Sequence, residues 1–233
     1  MDPDRRYPIE RLGAFGLGEE DLAAWEASGL SEEAFDDWLT DRVARRPGGS
    51  RARAVYGADD VHDFARRAIL RSLGLGPGGR LLEIGCGGGL LLREAIASGA
   101  EAVGLDHSAD MALLARERAP GARIVLADAQ AEELPFRNES FTAVGMSVVF
   151  FFFDRPAAVL ASCRSVLRPG GRLAVYTTGP ELRGTPAAPE PMASRGHFQS
   201  DQQLADIAIA AGFGQVAVVN EDGGQLLTGA RPG

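Results

Sequence analysis

An α/β fold with a doubly wound, mostly parallel sheet of seven strands follows from three features of the sequence. Strand-like apolar runs and helix-period apolar patterns alternate from residue 80 onward. The first run, Arg80 to Ile84, breaks into Gly85-Cys86-Gly87-Gly88-Gly89 and opens directly into a helical pattern at Leu90. Acidic residues stand in phase at three successive strand ends: Glu83, Asp106 and Asp128.

Each element has its own signal. Residues 1–18 mix Pro, Gly and charge and read as an irregular arm, with Tyr7, Ile9, Leu12, Phe15 and Leu17 available to pack. Glu19-Glu20-Asp21 places negative charge where a helix start favours it, and Leu22 and Trp25 follow on one face. Ser31 to Ala34 starts a second helix with Phe35, Trp38, Leu39 and Val43 on its apolar face, stopped by Pro47-Gly48-Gly49-Ser50. Five arginines between Arg42 and Arg53 read as a solvated hinge. Asp59-Asp60 opens a helix carrying Val61, Phe64, Ala68, Ile69 and Leu73. From there the expected strands are 80–84, 101–105, 123–126, 141–149 and 172–177, with helices at 90–98, at 107–119 and at 154–167. Residues 178–199 form a long loop rich in Pro and Gly, of the kind that is functional or mobile. A helix over 202–211 and closing strands at 215–219 and 225–228 complete the pattern. The organisation expected is an N-terminal helical arm or lid over 1–54 and a ligand-binding domain over 55–233.

Composition excludes several functions. The net charge of −8 argues against general nucleic-acid or anionic-membrane binding. All 24 basic residues are Arg, so Schiff-base chemistry and the Lys-containing phosphate loop are both excluded. Cys86 and Cys163 make no disulfide framework, and three scattered histidines give no metal-ligand spacing. The first residues carry no apolar signal-peptide core, and the longest greasy run, Val148 to Phe153, is far short of the ~20 residues of a membrane helix. A cytoplasmic protein, monomer or homodimer, with no membrane insertion is expected.

In such a sheet, ligands bind beyond the carboxyl ends of the strands, at the point where strand order reverses. Glycines there let the chain turn tightly and let a ligand approach the backbone. Asp106 stands about 20 residues past the glycines, where a carboxylate accepts from ribose hydroxyls. Asp128 stands where a carboxylate can accept from an exocyclic amine. The competing reading of these aspartates is helix capping. Cys86 reads as a small loop residue, without a basic neighbour in sequence to make it a nucleophile.

The segments LLEIGCGGG (81–89), VGLDHSADMALL (103–114), LADAQAEELPF (126–136), SVLRPGGRLAVY (165–176) and HFQSDQQLADIAIAAGF (197–213) together resemble class I S-adenosylmethionine-dependent methyltransferases, in particular the small-molecule branch that includes the ubiquinone- and menaquinone-type enzymes. The resemblance spans about residues 55 to 230 and implies a Rossmann-like methyltransferase fold. It implies S-adenosylmethionine as cofactor and S-adenosylhomocysteine as product. Glu83 and the backbone of Gly85, Cys86 and Gly87 would hold the methionine part. Asp106 would bind the ribose, with His107 as a pocket wall. Met111 would pack on the adenine, Asp128 and Ala129 would read its edge, and Ser147 would face the reactive end. Tyr56 and His62 lie in the segment that folds over the methionyl carboxylate in this family.

The sequence departs from the family after the fourth strand. Where relatives commonly carry a histidine-containing segment, this chain reads Phe150-Phe151-Phe152-Phe153-Asp154. Four phenylalanines are core material, but a strand end at the cleft mouth turns one or two of them to the pocket. Phe150, Phe151, Phe152 and Tyr7 are therefore acceptor-site candidates. His197, in the long loop, is the candidate base and acceptor contact, and Asp154 is a second catalytic candidate. His62, His107, Asp110 and Tyr7 are weaker alternatives, and an amine or sulfur acceptor would need no base. The expected activity is methylation of a small hydrophobic acceptor in secondary-metabolite biosynthesis, of polyketide or nonribosomal-peptide type. Three other readings stay open: a quinone-type methyltransferase, an NAD(P)-dependent oxidoreductase, and a non-catalytic S-adenosylmethionine-binding regulator.

Overall fold

The structure is a computed structural model that describes residues 3–60, 62–130 and 133–233, with side chains from residue 9 onward. Tyr7 and Val61 thus fall outside the described side chains.

The N-terminal region is helical from the start. α1 (Pro3–Ala14) stands where composition suggested an irregular arm. Tertiary packing overrides local composition here: Leu12 is buried, and Leu17 is buried just beyond the helix. α2 (Glu19–Ser28) follows. α3 (Phe35–Thr40) is entered by a 3-10 turn, Glu32–Ala34, and widens into a π turn over Asp41–Arg45. Leu12, Leu17, Leu22, Trp25, Phe35, Leu39 and Val43 form a small core of their own. Trp25 meets Phe35 edge-on at 5.0 Å between ring centres, a geometry that aromatic quadrupoles favour.

The expected arginine hinge is instead a set of clamps. Arg42 Nε donates to Asp21 Oδ1 at 2.7 Å, and Arg53 pairs with Glu117 at 2.6 Å. α4 (Gly49–Gly57) is continuous through residues 54 and 55, and α5 (Asp63–Leu73) lies against the sheet. His62 precedes α5 with φ +50.

The sheet contains β1 (Arg80–Ile84), β2 (Glu101–Asp106), β3 (Arg123–Leu126), β4 (Phe141–Ser147), β5 (Leu167–Thr177), β6 (Gly214–Glu221) and β7 (Gly224–Ala230), in the order β3-β2-β1-β4-β5-β7-β6. All pairings are parallel except those of β7, which runs antiparallel to both β5 and β6. α6 (Leu90–Ala97), α7 (Ala109–Arg118), α8 (Pro156–Val166) and α10 (Asp201–Ala210) make the remaining crossovers. The apolar core splits across the sheet. One face packs α8 and α10 through Leu160, Cys163 and Leu204, and the other packs α5 and α6 through Ile69, Leu91 and Leu92.

Several strand boundaries differ from expectation, the closing strands reaching Glu221 and Ala230, and two of the differences have a local cause. β5 starts at Leu167, not 172, because Leu167 already pairs with Phe141 across a register shift; Arg231 closes the glycine turn by exchanging backbone bonds with Gly170 and Gly171. β4 ends at Ser147 because Val148 takes φ +57. The long loop is not structureless: it carries a 3-10 turn, Pro180–Leu182, and α9 (Met192–Arg195), with Ala188 and Ala193 buried. Among the described residues no helix is long and apolar enough to cross a membrane.

Leu39 is fully buried at the centre of the N-terminal cluster. Leu39→Ala is expected to cost about 2–5 kcal/mol, as buried Leu truncations do, read as a lowered urea midpoint. A loss below about 1 kcal/mol would mean that the cluster contributes little to the fold.

Candidate functional site

Strand order reverses between β1 and β4, and a cleft of about 1240 Å³, mouth included, opens there. Its floor is the turn after β1. Gly85 and Cys86 both donate their N–H to the Leu105 carbonyl at the end of β2, at 2.7 and 3.1 Å. Gly85 has φ +68, and a Cβ on it would lie 2.7 Å from Val149. Gly88 passes so close to α4 that a Cβ would meet the Tyr56 carbonyl at 2.2 Å. Both positions therefore require glycine.

Asp106 ties the turn to the next helix. Gly87 N–H donates to its Oδ2 and Ser108 N–H to its Oδ1, each at 2.8 Å. Burial raises the Asp106 carboxyl, and the two backbone donors pull in the opposite direction. Glu83 lies below, 3% exposed, and its Oε2 has no hydrogen-bond partner. Burial raises it well above the ordinary carboxyl value, and the Asp106 charge adds to the effect. Cys86 is likewise raised well above its ordinary value, by burial and then by Asp106 and Glu83, which keeps it a thiol.

The roof over this end comes from the N-terminal helices. His107 Nε2 donates to the Arg45 carbonyl, Ser108 Oγ to the Pro47 carbonyl at 2.6 Å, and Gly49 N–H to Asp110 Oδ2 at 2.8 Å. Tyr56, His62 and Arg66 complete the wall. Burial lifts the Tyr56 phenol to about 12. Burial and then the Arg66 charge lower the His62 imidazole. Arg66 is buried and held by Glu94 and Asp63, both at 3.0 Å. Met111 is fully buried at the cleft wall, and Ala129 is nearly so. Asp128 stands at the exposed lip, its Oδ1 accepting from Gln130 N–H.

The opposite wall begins at Ser147. Val148, a β-branched residue at positive φ, is a strained conformation of the kind that clusters at functional sites. It turns the chain into the Phe150–Phe152 3-10 turn. Phe151, Phe152 and Phe153 line the cleft, whereas Phe150 points into the main core and packs edge-on against Phe153 at 5.8 Å. Ala187 and Met192 from the long loop close this end.

The structure brings together all eleven expected cofactor residues: Tyr56, Glu83, Gly85, Cys86, Gly87, Asp106, His107, Met111, Asp128, Ala129 and Ser147 all line the cleft. It places His197 and Asp154 elsewhere. His197 Nε2 donates to Asp154 Oδ1 at 3.0 Å, both side chains are largely exposed, and neither is among the lining residues. The His197 N–H instead donates to the Phe151 carbonyl at 2.6 Å, and Phe198 stacks on Phe151 at 5.2 Å. Sequence reasoning missed Arg66, Gln130, Val149, Phe153 and Met192. An arginine on an amphipathic helix and a methionine in a proline-rich loop carry no local signal of the cleft they face. Among the described residues no group of three His, Cys, Asp or Glu is placed to hold a metal ion.

The donor set fits a cationic ligand. A buried, unpartnered carboxylate oxygen beside a second carboxylate is costly alone and favourable against an ammonium. Because the folded state raises the Glu83 carboxyl, its contribution to stability is full below the ordinary carboxyl value and is lost as pH rises through the folded one. Glu83→Gln is therefore expected to leave the ligand-free protein at least as stable at pH 7 and to flatten the decline of Tm with rising pH. The same change should weaken S-adenosylhomocysteine binding about tenfold or more, since one charge-assisted bond is lost. Melts across pH and titration calorimetry read both effects. A destabilised ligand-free protein with unchanged affinity would overturn the assignment.

A methyltransferase-domain family matches residues 82–175. A demethylmenaquinone methyltransferase of Mycobacterium sp. (strain KMS) is 36% identical over 137 residues, 59% of this chain and 56% of the relative. The chain thus spans little more than half the length of that relative. Among solved structures, a Thermotoga maritima S-adenosylmethionine-dependent methyltransferase, described as a possible histamine N-methyltransferase, is 26% identical with a TM-score of 0.59, covering 73% of this chain and 91% of that one. A chain from the Haloferax volcanii complex of the Trm112 methyltransferase activator with a methyltransferase superposes with a TM-score of 0.67 at 20% identity, covering 88% and 100%, a likeness of fold alone. Residues 82–175 therefore match a methyltransferase domain, and the chain has the fold of S-adenosylmethionine-dependent methyltransferases.

Proposed function

We propose that the protein transfers the methyl group of S-adenosylmethionine to a small, largely hydrophobic acceptor in the cytoplasm, as a tailoring step in secondary metabolism. The observation that carries the cofactor reading is the pair of buried carboxylates, Glu83 and Asp106, at the glycine turn. A cationic nucleoside suits them. The pyrophosphate of a nicotinamide dinucleotide, which would sit on that same turn, does not, so the oxidoreductase reading is disfavoured. When bound, the cofactor supplies a methyl group already activated on sulfur. The residues then have to bind, orient and exclude water. In this reading Glu83 meets the ligand's ammonium, Asp106 the ribose hydroxyls, Met111 the adenine face, and Asp128 with Ala129 its edge. His107 and Tyr56 close the pocket, and Ser147 borders the transfer point. Phe151 and Phe152 belong to the acceptor wall.

A second reading, methylation of a quinone, is favoured by the likeness to demethylmenaquinone methyltransferases over 137 residues. Assays with demethylmenaquinone, beside extracts of natural-product producers scored for +14 mass species, separate the two. Cofactor binding without S-adenosylhomocysteine release from any acceptor pool would point to a regulator instead.

Asp106→Ala should lower S-adenosylhomocysteine affinity by more than tenfold, because charge-assisted hydrogen bonds are worth about 1.5–3 kcal/mol each. Unchanged affinity in calorimetry would overturn the ribose assignment. His197 stands outside the cleft wall, so His197→Ala is expected to lower kcat by less than about tenfold. A loss of the 100- to 10,000-fold roughly typical of a general base would return it to catalysis.

A further inference from the structure

We infer that the acceptor binds as a neutral amine and is methylated on nitrogen without help from a protein base. This deepens the methyltransferase reading and rests on it. The described wall past Ser147 is formed by Val148, Val149, Phe151, Phe152, Phe153, Ala187 and Met192, with the uncharged amide of Gln130 beside them. None of these accepts a proton. The His197–Asp154 pair lies outside the cleft lining, with the His197 N–H bonded to the Phe151 carbonyl. His62 belongs to the other end: it neighbours Tyr56, whose ring stands over the glycine turn at Gly87, and it carries the influence of Arg66.

Charge decides between acceptor types. A phenol or alcohol must lose its proton to react, and among the described residues no acceptor-side group is placed to take it. An acceptor that arrives as an anion would have to be desolvated against aromatic and aliphatic side chains. The cationic side chains of the cleft are already engaged: Arg45 with Asp41, and Arg66 with Glu94 and Asp63. An amine fits, because an apolar site favours its uncharged form. Its nitrogen lone pair forms the new N–C bond as the donor's C–S bond breaks with the electron pair left on sulfur. One positive charge is present before the step, on sulfur, and one after it, on nitrogen, so a dry site carries no new penalty. Aromatic side chains around the nitrogen favour that cation. A primary or secondary amine then loses its extra N–H proton to water after release.

The test uses the whole chain saturated with S-adenosylhomocysteine, with 1-naphthylmethylamine and 1-naphthol as probes that share one ring system and differ in the reacting group. The amine should bind with release of about one proton, read by calorimetry in buffers of different ionisation enthalpy. Its affinity should rise about tenfold per pH unit below the amine's own pKa, since only the neutral fraction binds. With S-adenosylmethionine the amine, not the naphthol, should gain 14 mass units, and His197→Gln, outside the cleft lining, should leave that turnover within a few-fold. Amine binding without proton release, methylation of the naphthol alone, or binding of neither probe overturns the proposal and leaves the methyltransferase reading standing. Failure of S-adenosylhomocysteine itself to bind overturns both.

Discussion

The end of β2 holds the cleft together. The Leu105 carbonyl takes two amides of the glycine turn, and the Asp106 carboxylate takes a third amide from that turn and one from the start of α7. Four backbone donors that would otherwise be orphaned at a turn and a helix start are thus satisfied by two adjacent residues. The arrangement costs the burial of a carboxyl group, and the two donors offset that cost. The consequences run outward. α7 is fixed relative to β1, and α7 in turn receives the N-terminal roof through His107, Ser108 and Asp110. Removing the Asp106 carboxylate therefore disturbs the glycine turn, the α7 start and, through α7, the roof.

The cleft is polar at one end and apolar at the other, and sheet topology produces the division. β1 and β2 lead into turns closed by carboxylates and backbone amides. β4 leads into a strained valine and a run of phenylalanines. The first end suits a ligand rich in hydroxyls and cationic charge. The second suits a flat, uncharged partner. The turn after β4 hangs from the sheet by the Val148 amide to the Tyr176 carbonyl and packs inward through Val148, Val149, Phe150 and Phe153.

Most of the sheet and most of the polar end were legible in the sequence, because both depend on local patterns: glycines where φ is positive, aspartates at strand ends, apolar runs of strand length. The misses share a different physics. α1 forms because Leu12 and its neighbours bury against α2 and α3, which residues 1–18 do not reveal alone. The arginines of 42–53 find carboxylates up to 64 residues away. His197 and Asp154, two separate candidates in the sequence, bond to each other, yet neither lines the cleft. Which of four consecutive phenylalanines faces the cleft depends on the φ of Val148, a single backbone angle with no composition signal.

The roof is made of two seams of unequal strength. Over the polar end it rests on hydrogen bonds to α7, one of which involves the buried Ser108 hydroxyl, and on the small cluster of Ala52, Met111 and Leu114. Over the apolar end, α9 meets α3 through Arg195 and the acidic pair Asp36 and Asp37, with the Asp37 contact at 2.5 Å and that carboxylate well exposed. Exposed ion pairs of this kind contribute about 0–1 kcal/mol and weaken with salt, whereas buried hydrogen bonds cost more to leave unmade. The weaker seam lies over Met192 and the phenylalanine wall. The structure therefore places its weaker contacts above the phenylalanine wall and its stronger ones over the glycine turn. A methyltransferase that must exchange its acceptor while shielding an activated methyl group from water is served by that inequality.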